Sequence, residues 1–152
     1  MKNLSIRRLR TEDSRPLSRM LCSGSRAYQE YFIPFAFDEP TVSGLLANAV
    51  RDGYWGVWID DELAGFFMLR GFDAGFAVPA YGVSIAESHA GKGLLKLTLQ
   101  YALSWCKVNG IARIMLKVHP ENAVARTTYE KFGFEFQGVD PKNMHRIYSR
   151  AV

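Results

Sequence analysis

Two segments of this chain, separated by one long apolar-rich helix and a strand, constrain its fold more than any other feature. The first runs Tyr81-Gly-Val-Ser-Ile-Ala-Glu-Ser-His-Ala-Gly-Lys-Gly-Leu-Leu-Lys96. Its spacing predicts a strand that passes through a glycine loop into a helix. Gly91 and Gly93 lack Cβ atoms, so a ligand can approach their backbone closely. The first N–H groups of the helix that follows have no internal partner. Together with the positive end of the helix dipole they suit a pyrophosphate, and Lys92 and Lys96 add charge. The same pattern also occurs as a plain turn into a helix. Two other phosphate loops are excluded. A P-loop needs Gly-x-x-x-x-Gly-Lys-Ser/Thr, and no Ser or Thr follows Gly93. A dinucleotide fingerprint needs a third glycine, and that position is Lys96.

The second segment runs Val118-His-Pro-Glu-Asn-Ala-Val-Ala-Arg-Thr-Thr-Tyr-Glu-Lys-Phe-Gly-Phe134. Asn122 is a good helix N-cap, because its side chain accepts from the free N–H groups after it. Ala125 and Tyr129 follow at +3 and +7 and share its face. A small residue there lets a ligand come close, and the phenol sits further along the same face. Read alone, the segment is equally a capped amphipathic helix with a core tyrosine.

The rest of the pattern is mixed α and β. Leu4 to Leu9 alternates as a strand, and Asp13 to Cys22 and Thr41 to Asp52 read as helices. Tyr54 to Ile59 and Leu63 to Arg70 form a hairpin around Asp60-Asp61-Glu62. Leu94 to Val108 is a long helix that stops at Asn109-Gly110. Ile111 to Val118 is a strand, Ala123 to Phe132 a helix closed by Gly133, and Phe134 to Gln137 and His145 to Ser149 are the final strands. With 152 residues, 48% of them hydrophobic, one domain over 1–152 with a sizeable core is expected.

The two segments and the order of elements resemble the GNAT superfamily of acyl-CoA-dependent N-acetyltransferases. That family's helix commonly reads Asn-x-x-Ala-x-x-x-Tyr followed by Gly-Phe, which Asn122, Ala125, Tyr129, Gly133 and Phe134 match. Its phosphate loop reads Arg/Gln-x-x-Gly-x-Gly/Ala; here Ala90 and Leu95 depart from it and Gly93 keeps the central glycine. The resemblance implies an α/β (α+β) fold: a central, mixed, mostly antiparallel sheet of six to seven strands flanked by about four helices. It also implies acetyl-CoA as co-substrate, with no metal. The acetyl-CoA would lie in a splay between two strands. Val83, Ser84 and Ile85 would hold the pantetheine arm, with one amide polarising the thioester carbonyl. Gly91, Lys92, Gly93, Leu94, Leu95 and Lys96 would hold the pyrophosphate, and Asn122 and Ala125 would flank the arm. Tyr129 would protonate the leaving thiolate, and the amine would attack directly.

The resemblance leaves the base open. Lys117 stands where several members carry a glutamate, and a protonated amine cannot replace it. Tyr81 could relay a proton through water; Glu87 and His119 are nearby alternatives.

The acceptor is expected to meet the aromatic segments 28–37 and 72–81, with Arg70, Asp73 and Glu30 as polar contacts. A small amine is favoured, with a nucleotide-linked amino sugar as one guess. A peptide or protein acceptor and a non-catalytic acyl-CoA-binding module are the alternatives. The net charge of +4 suits a phosphorylated ligand. The Lys and Arg residues are too dispersed to favour nucleic acid, no apolar run suits a membrane, and a homodimer is left open. The basic N-terminus reads as a first strand and not a leader, so a cytoplasmic location is expected. Cys22 and Cys106 read as buried, reduced thiols, and the scattered histidines argue against a metal site.

Overall fold

The computed structural model describes residues 1–152, and every strand and helix in it follows the expected order with one addition. Strand β1 is Leu4–Arg8, and a short 3-10 turn at Thr11–Asp13 leads into α1, Ser14–Cys22. Helices α2, Arg26–Glu30, and α3, Glu39–Asn48, follow. Next come β2, Gly53–Ile59; β3, Glu62–Arg70; and β4, Ala80–Ile85. Helix α4 is Leu94–Val108, β5 is Arg113–Val118, α5 is Ala123–Lys131, and β6, Glu135–Val139, and β7, Arg146–Ala151, close the chain. The addition is α2, a five-residue helix that runs into the start of the aromatic stretch, which carries no helical periodicity.

Seven strands form one sheet in the order β1-β2-β3-β4-β5-β7-β6. Every pairing is antiparallel except β4 with β5. Alternation along the strands divides the core between the two faces of the sheet. On one face Trp55, Val57, Phe67 and Leu69 pack under α4, and Ile114, Leu116 and Tyr148 meet α5. On the other face Leu17, Met20 and Leu21 of α1 and Val42 of α3 cover Tyr54, Phe66 and Met68. Leu99 of α4 has no exposed surface, so truncating it to alanine is expected to cost about 2–5 kcal/mol.

One expectation about this core is corrected. Cys106 is buried, but Cys22 is exposed. The apolar stripe of α1 is Leu17, Met20 and Leu21, and Cys22 is the last residue of the helix, off that stripe.

The β4–β5 pairing is where the sheet opens. Only Ala80↔Met115 and Tyr81↔Leu116 are in register, whereas β4 pairs with β3 along its whole length. Beyond Tyr81 the two parallel strands diverge, and β4 presents an unpaired edge to the gap.

Candidate active site

The backbone polar groups of a strand alternate between its two sides. The Pro79 carbonyl accepts from the Met115 N–H at 3.0 Å, on the β5 side of β4. The polar groups of Tyr81, Val83 and Ile85 therefore point the same way, and those of Val83 and Ile85 lie beyond the last paired residue. The Ile85 carbonyl accepts a hydrogen bond from the Tyr28 hydroxyl of α2. Ser84, by the same alternation, turns its backbone groups toward Phe66 of β3. Of the three residues expected along the ligand arm, Val83 and Ile85 turn their backbone groups toward the gap, with the Ile85 carbonyl taken by Tyr28, and Ser84 turns its own toward β3.

The strand edge leads into the glycine loop. Gly91 and Gly93 both take left-handed backbone angles, with φ of +76° and +80°. A Cβ at either would meet no protein atom within 4 Å, so the reason for glycine here is the backbone conformation and the open space beside it. Gly93 is the N-cap of α4, and the first helical bond is Leu97 N–H to the Gly93 carbonyl. The N–H groups of Gly91, Lys92, Gly93, Leu94, Leu95 and Lys96 donate to no other group of the protein. Six consecutive unpaired donors at a helix N-terminus form an anion cradle.

The two lysines behave differently. Lys96 lines the cleft at this loop. Lys92 turns away and donates to His89 Nδ1 at 3.0 Å, which orients His89 Nε2 toward Glu62 at 2.9 Å.

Helix α5 closes the opposite wall. Asn122 caps it through its Oδ1, which accepts from the Ala125 N–H at 3.3 Å. Ala125 and Tyr129 are buried. Tyr129 packs edge-on against Tyr81 and Phe134, at ring-centroid distances of 6.3 and 6.1 Å. Its hydroxyl makes no hydrogen bond within the protein, and the residue lines the cleft. Burial raises the pKa of this phenol well above its ordinary value, so it stays protonated throughout the neutral range. Tyr81 is also raised, chiefly by burial and secondly by Tyr129. Its hydroxyl lies 2.9 Å from Thr98 Oγ1, which in turn donates to the Leu95 carbonyl. That placement works against Tyr81 as a proton relay.

The remaining base candidates have other partners. Glu87 accepts from the Ser25 N–H at 2.7 Å and so fixes the start of α2. His119 Nδ1 accepts from the Glu121 N–H at 3.2 Å, and its ring packs against Tyr31 at 5.2 Å. Lys117 donates to Asp140 Oδ2 at 2.8 Å. His145, on the segment before β7, lines the cleft although its place in the sequence shows no sign of it. The register that brings it there is Val118↔Arg146.

The gap, the loop and α5 enclose a cleft of about 1170 Å³. Its far end is walled by Tyr31, Ile33, Phe76 and Val78, with Arg70 beside them. Of the other polar groups expected there, the Asp73 carboxylate accepts from the N–H groups of Val50, Arg51 and Asp52, and Glu30 pairs with Arg26 at 3.3 Å. Neither residue lines the cleft. Phe35 and Phe37 pack against the core under α1 and α3, and Phe32 packs there while also lining the cleft.

A strand pair that splays beside a glycine-loop helix calls for comparison with known proteins. A sequence model described as the acetyltransferase (GNAT) family matches residues 18–134. The chain belongs to the GNAT acetyltransferase family. Enzymes of this family use acetyl-CoA, and the cleft fits it, with an open strand edge for an extended arm and a cradle of free donors for a pyrophosphate.

Streptothricin acetyltransferase of Streptomyces lavendulae is 28% identical over 116 residues, covering 68% of this chain and 61% of its own. The uncharacterized N-acetyltransferase YsnE of Bacillus subtilis (strain 168) is 29% identical over 99 residues, covering 60% of this chain and 65% of its own. The chain thus spans under two thirds of the length of these two relatives. Among solved structures, the PaiA N-acetyltransferase of Thermoplasma acidophilum in complex with coenzyme A superposes with a TM-score of 0.81 at 21% identity, covering 99% of both chains. The ribosomal-protein-S5-alanine acetyltransferase of Vibrio fischeri has a TM-score of 0.81 at 16% identity, over 99% of this chain and 94% of its own. At these identities the structures establish a shared fold. No helix of the chain is long and apolar enough to cross a membrane.

Proposed function

We propose that this chain moves an acetyl group from acetyl-CoA to the primary amine of a small acceptor by direct attack. The reading rests on one observation: the free edge of β4 at Val83 and Ile85 runs into the unpaired donors from Gly91 to Lys96. In this reading the pyrophosphate sits at the start of α4. The pantetheine arm extends along β4 past Asn122 and Ala125, and the thioester reaches the neighbourhood of Tyr129. An N–H on the free β4 edge receives the negative charge that develops on the carbonyl oxygen. The acceptor nitrogen attacks the carbonyl carbon, and the C–S bond breaks with its electron pair on sulfur. Tyr129 is protonated and meets that sulfur as a hydrogen-bond donor. Because a phenol is already a weaker acid than a thiol and burial weakens it further, the bond forms first and the proton moves only as charge accumulates. Tyr81, tied to Thr98, supports the Tyr129 ring from behind.

The cleft walls support a small acceptor. Tyr31 and Phe76 offer flat apolar surfaces, and Arg70 offers a cation to an acidic or polar group. An amino sugar carrying a nucleotide would use the same surfaces, and it is one arm of the test. That test measures thiol release from acetyl-CoA across amino sugars, polyamines, amino acids and short peptides. Amine-dependent release with at least one small amine is expected. Release with peptides alone would move the acceptor to a protein terminus. Tight coenzyme A binding with no release would make the chain a binding module.

A further inference from the structure

We propose that His145 is the general base of this active site, taking the proton that the acceptor nitrogen loses as the amide forms. The inference rests on the proposed acetyl transfer and supplies the group that the sequence leaves unassigned.

The register places it. Leu116 of β5 pairs with Tyr148 of β7, and both are buried on the face under α5. Lys117 pairs with Ile147, so Lys117, Ile147 and, two residues before Ile147, His145 lie on the opposite face. In the proposed acetyl transfer the acceptor comes from that face, because α4 and α5 cover the other. Lys117 stands where a base would be expected, but its ammonium is held by Asp140 at 2.8 Å. His145 is its diagonal neighbour across the strand pair, and it is half-buried and lines the cleft.

The segment around His145 is built to hold it. Asp140 is buried, at 8% exposure, and organises the turn. One carboxylate oxygen accepts from the Lys142 N–H at 2.9 Å and the other from Lys117. The Asp140 N–H donates to the His145 carbonyl and the Met144 N–H to the Asp140 carbonyl, both at 2.8 Å. The His145 N–H donates to Asn143 Oδ1 at 3.0 Å. Met144 is forced to φ +62°, a left-handed backbone that a methionine rarely adopts. Local strain of this kind is held in place by the bonds around it and clusters at working sites.

The surroundings suit a base. His119 faces the imidazole from the end of β5, with ring centroids 5.4 Å apart, and Tyr31 backs His119. Lys117 and Asp140 are the charges beside it, and the Arg146 guanidinium lies on the other face over Phe136. Burial, then His119 and Lys117, lower the pKa of His145, and Asp140 opposes them without reversing the sign. The ring is therefore neutral at pH 7, with a nitrogen able to accept a proton.

The step balances without a further reactant. A free amine attacks the carbonyl carbon, and its nitrogen becomes positively charged as the N–C bond forms. That nitrogen loses one proton to His145, the sulfur leaves with the C–S electron pair, and one proton reaches it from Tyr129. His145 returns its proton through solvent, restoring the phenol, and the products are an amide and free coenzyme A.

The test compares wild type with His145→Gln on an amine that the wild type acetylates. The expected result is a fall in kcat/KM of a hundred-fold or more, with the coenzyme A dissociation constant unchanged. The acid limb of the wild-type pH profile, displaced below the ordinary imidazole range, disappears in the variant, and added imidazole restores part of the rate of His145→Ala. A variant that keeps its rate and its acid limb overturns the assignment while leaving acetyl transfer intact. Loss of coenzyme A binding together with activity also overturns it, since that marks a structural role. A wild type that releases no thiol with any amine overturns the proposed function itself.

Discussion

The Tyr81 hydroxyl lies 2.9 Å from Thr98 Oγ1, joining the strand before the glycine loop to the helix after it. The bond is buried, and Thr98 already donates to the Leu95 carbonyl, so Tyr81 is left as its donor. Tyr81→Phe removes that bond and leaves Thr98 with one partner. A loss of about 1 kcal/mol is expected in chemical denaturation, with kcat within a few-fold of wild type. A fall of ten-fold or more in kcat would reinstate Tyr81 as a proton relay.

Tyr129→Phe keeps the ring that packs on Tyr81 and Phe134 and removes only the hydroxyl facing the cleft. The expected effect is a decrease in kcat of ten-fold or more, with acetyl-CoA binding by calorimetry nearly unchanged. An unaltered kcat would remove the hydroxyl from the chemistry.

Gly93 combines a left-handed backbone with open space at the head of the anion cradle. Gly93→Glu adds backbone strain of roughly 1 kcal/mol and places a carboxylate where the pyrophosphate is expected. Coenzyme A binding should fall below detection in a titration, while the thermal transition moves only slightly. Undiminished binding would contradict the placement of the phosphates.

Most of this arrangement is legible in local sequence. The bounds of α4, Leu94–Val108, agree with its apolar periodicity and its Asn109-Gly110 stop, where Gly110 has φ +69°. The hairpin of β2 and β3 and the Asn122 cap follow from turn and capping chemistry. What escaped is set by distant contacts. Helix α2 has too few residues for a periodic stripe and is capped by Ser25, which Glu87 holds from 62 residues away. The divergence of β4 from β5 is a property of register between strands that α4 separates. The location of His145 depends on the pairing of β7 with β5, which no single window of sequence contains.

The charges beside His145 supply a pH prediction. Lys117 lowers the pKa of that imidazole and Asp140 raises it. Lys117→Met removes the depressing charge and frees the carboxylate that opposes it, so both changes raise the pKa. The acid limb of the pH–kcat/KM profile is expected to move to higher pH, with a plateau rate close to wild type. A limb that moves to lower pH would contradict the assignment.

Acid stability should report the buried Asp13. Burial alone would raise its pKa, but two bonds from Arg7 at 3.0 Å and one from the Arg10 N–H at 2.8 Å outweigh it and lower the value. A carboxylate with a depressed folded pKa contributes stability above its unfolded value of about 3.9, and that stability is lost as pH falls through the folded value. Asp13→Asn is expected to cost about 1.5–3 kcal/mol at pH 7, and the difference from wild type should shrink in denaturation measured below pH 4.

The most direct measurement is the amine-dependent release of free coenzyme A from acetyl-CoA by the purified wild-type chain. Release that rises with the concentration of at least one small amine, and that Gly93→Glu abolishes, is the expected result. Release no faster than in buffer with every amine, despite coenzyme A binding at the glycine loop, would contradict acetyl transfer as the work of this cleft.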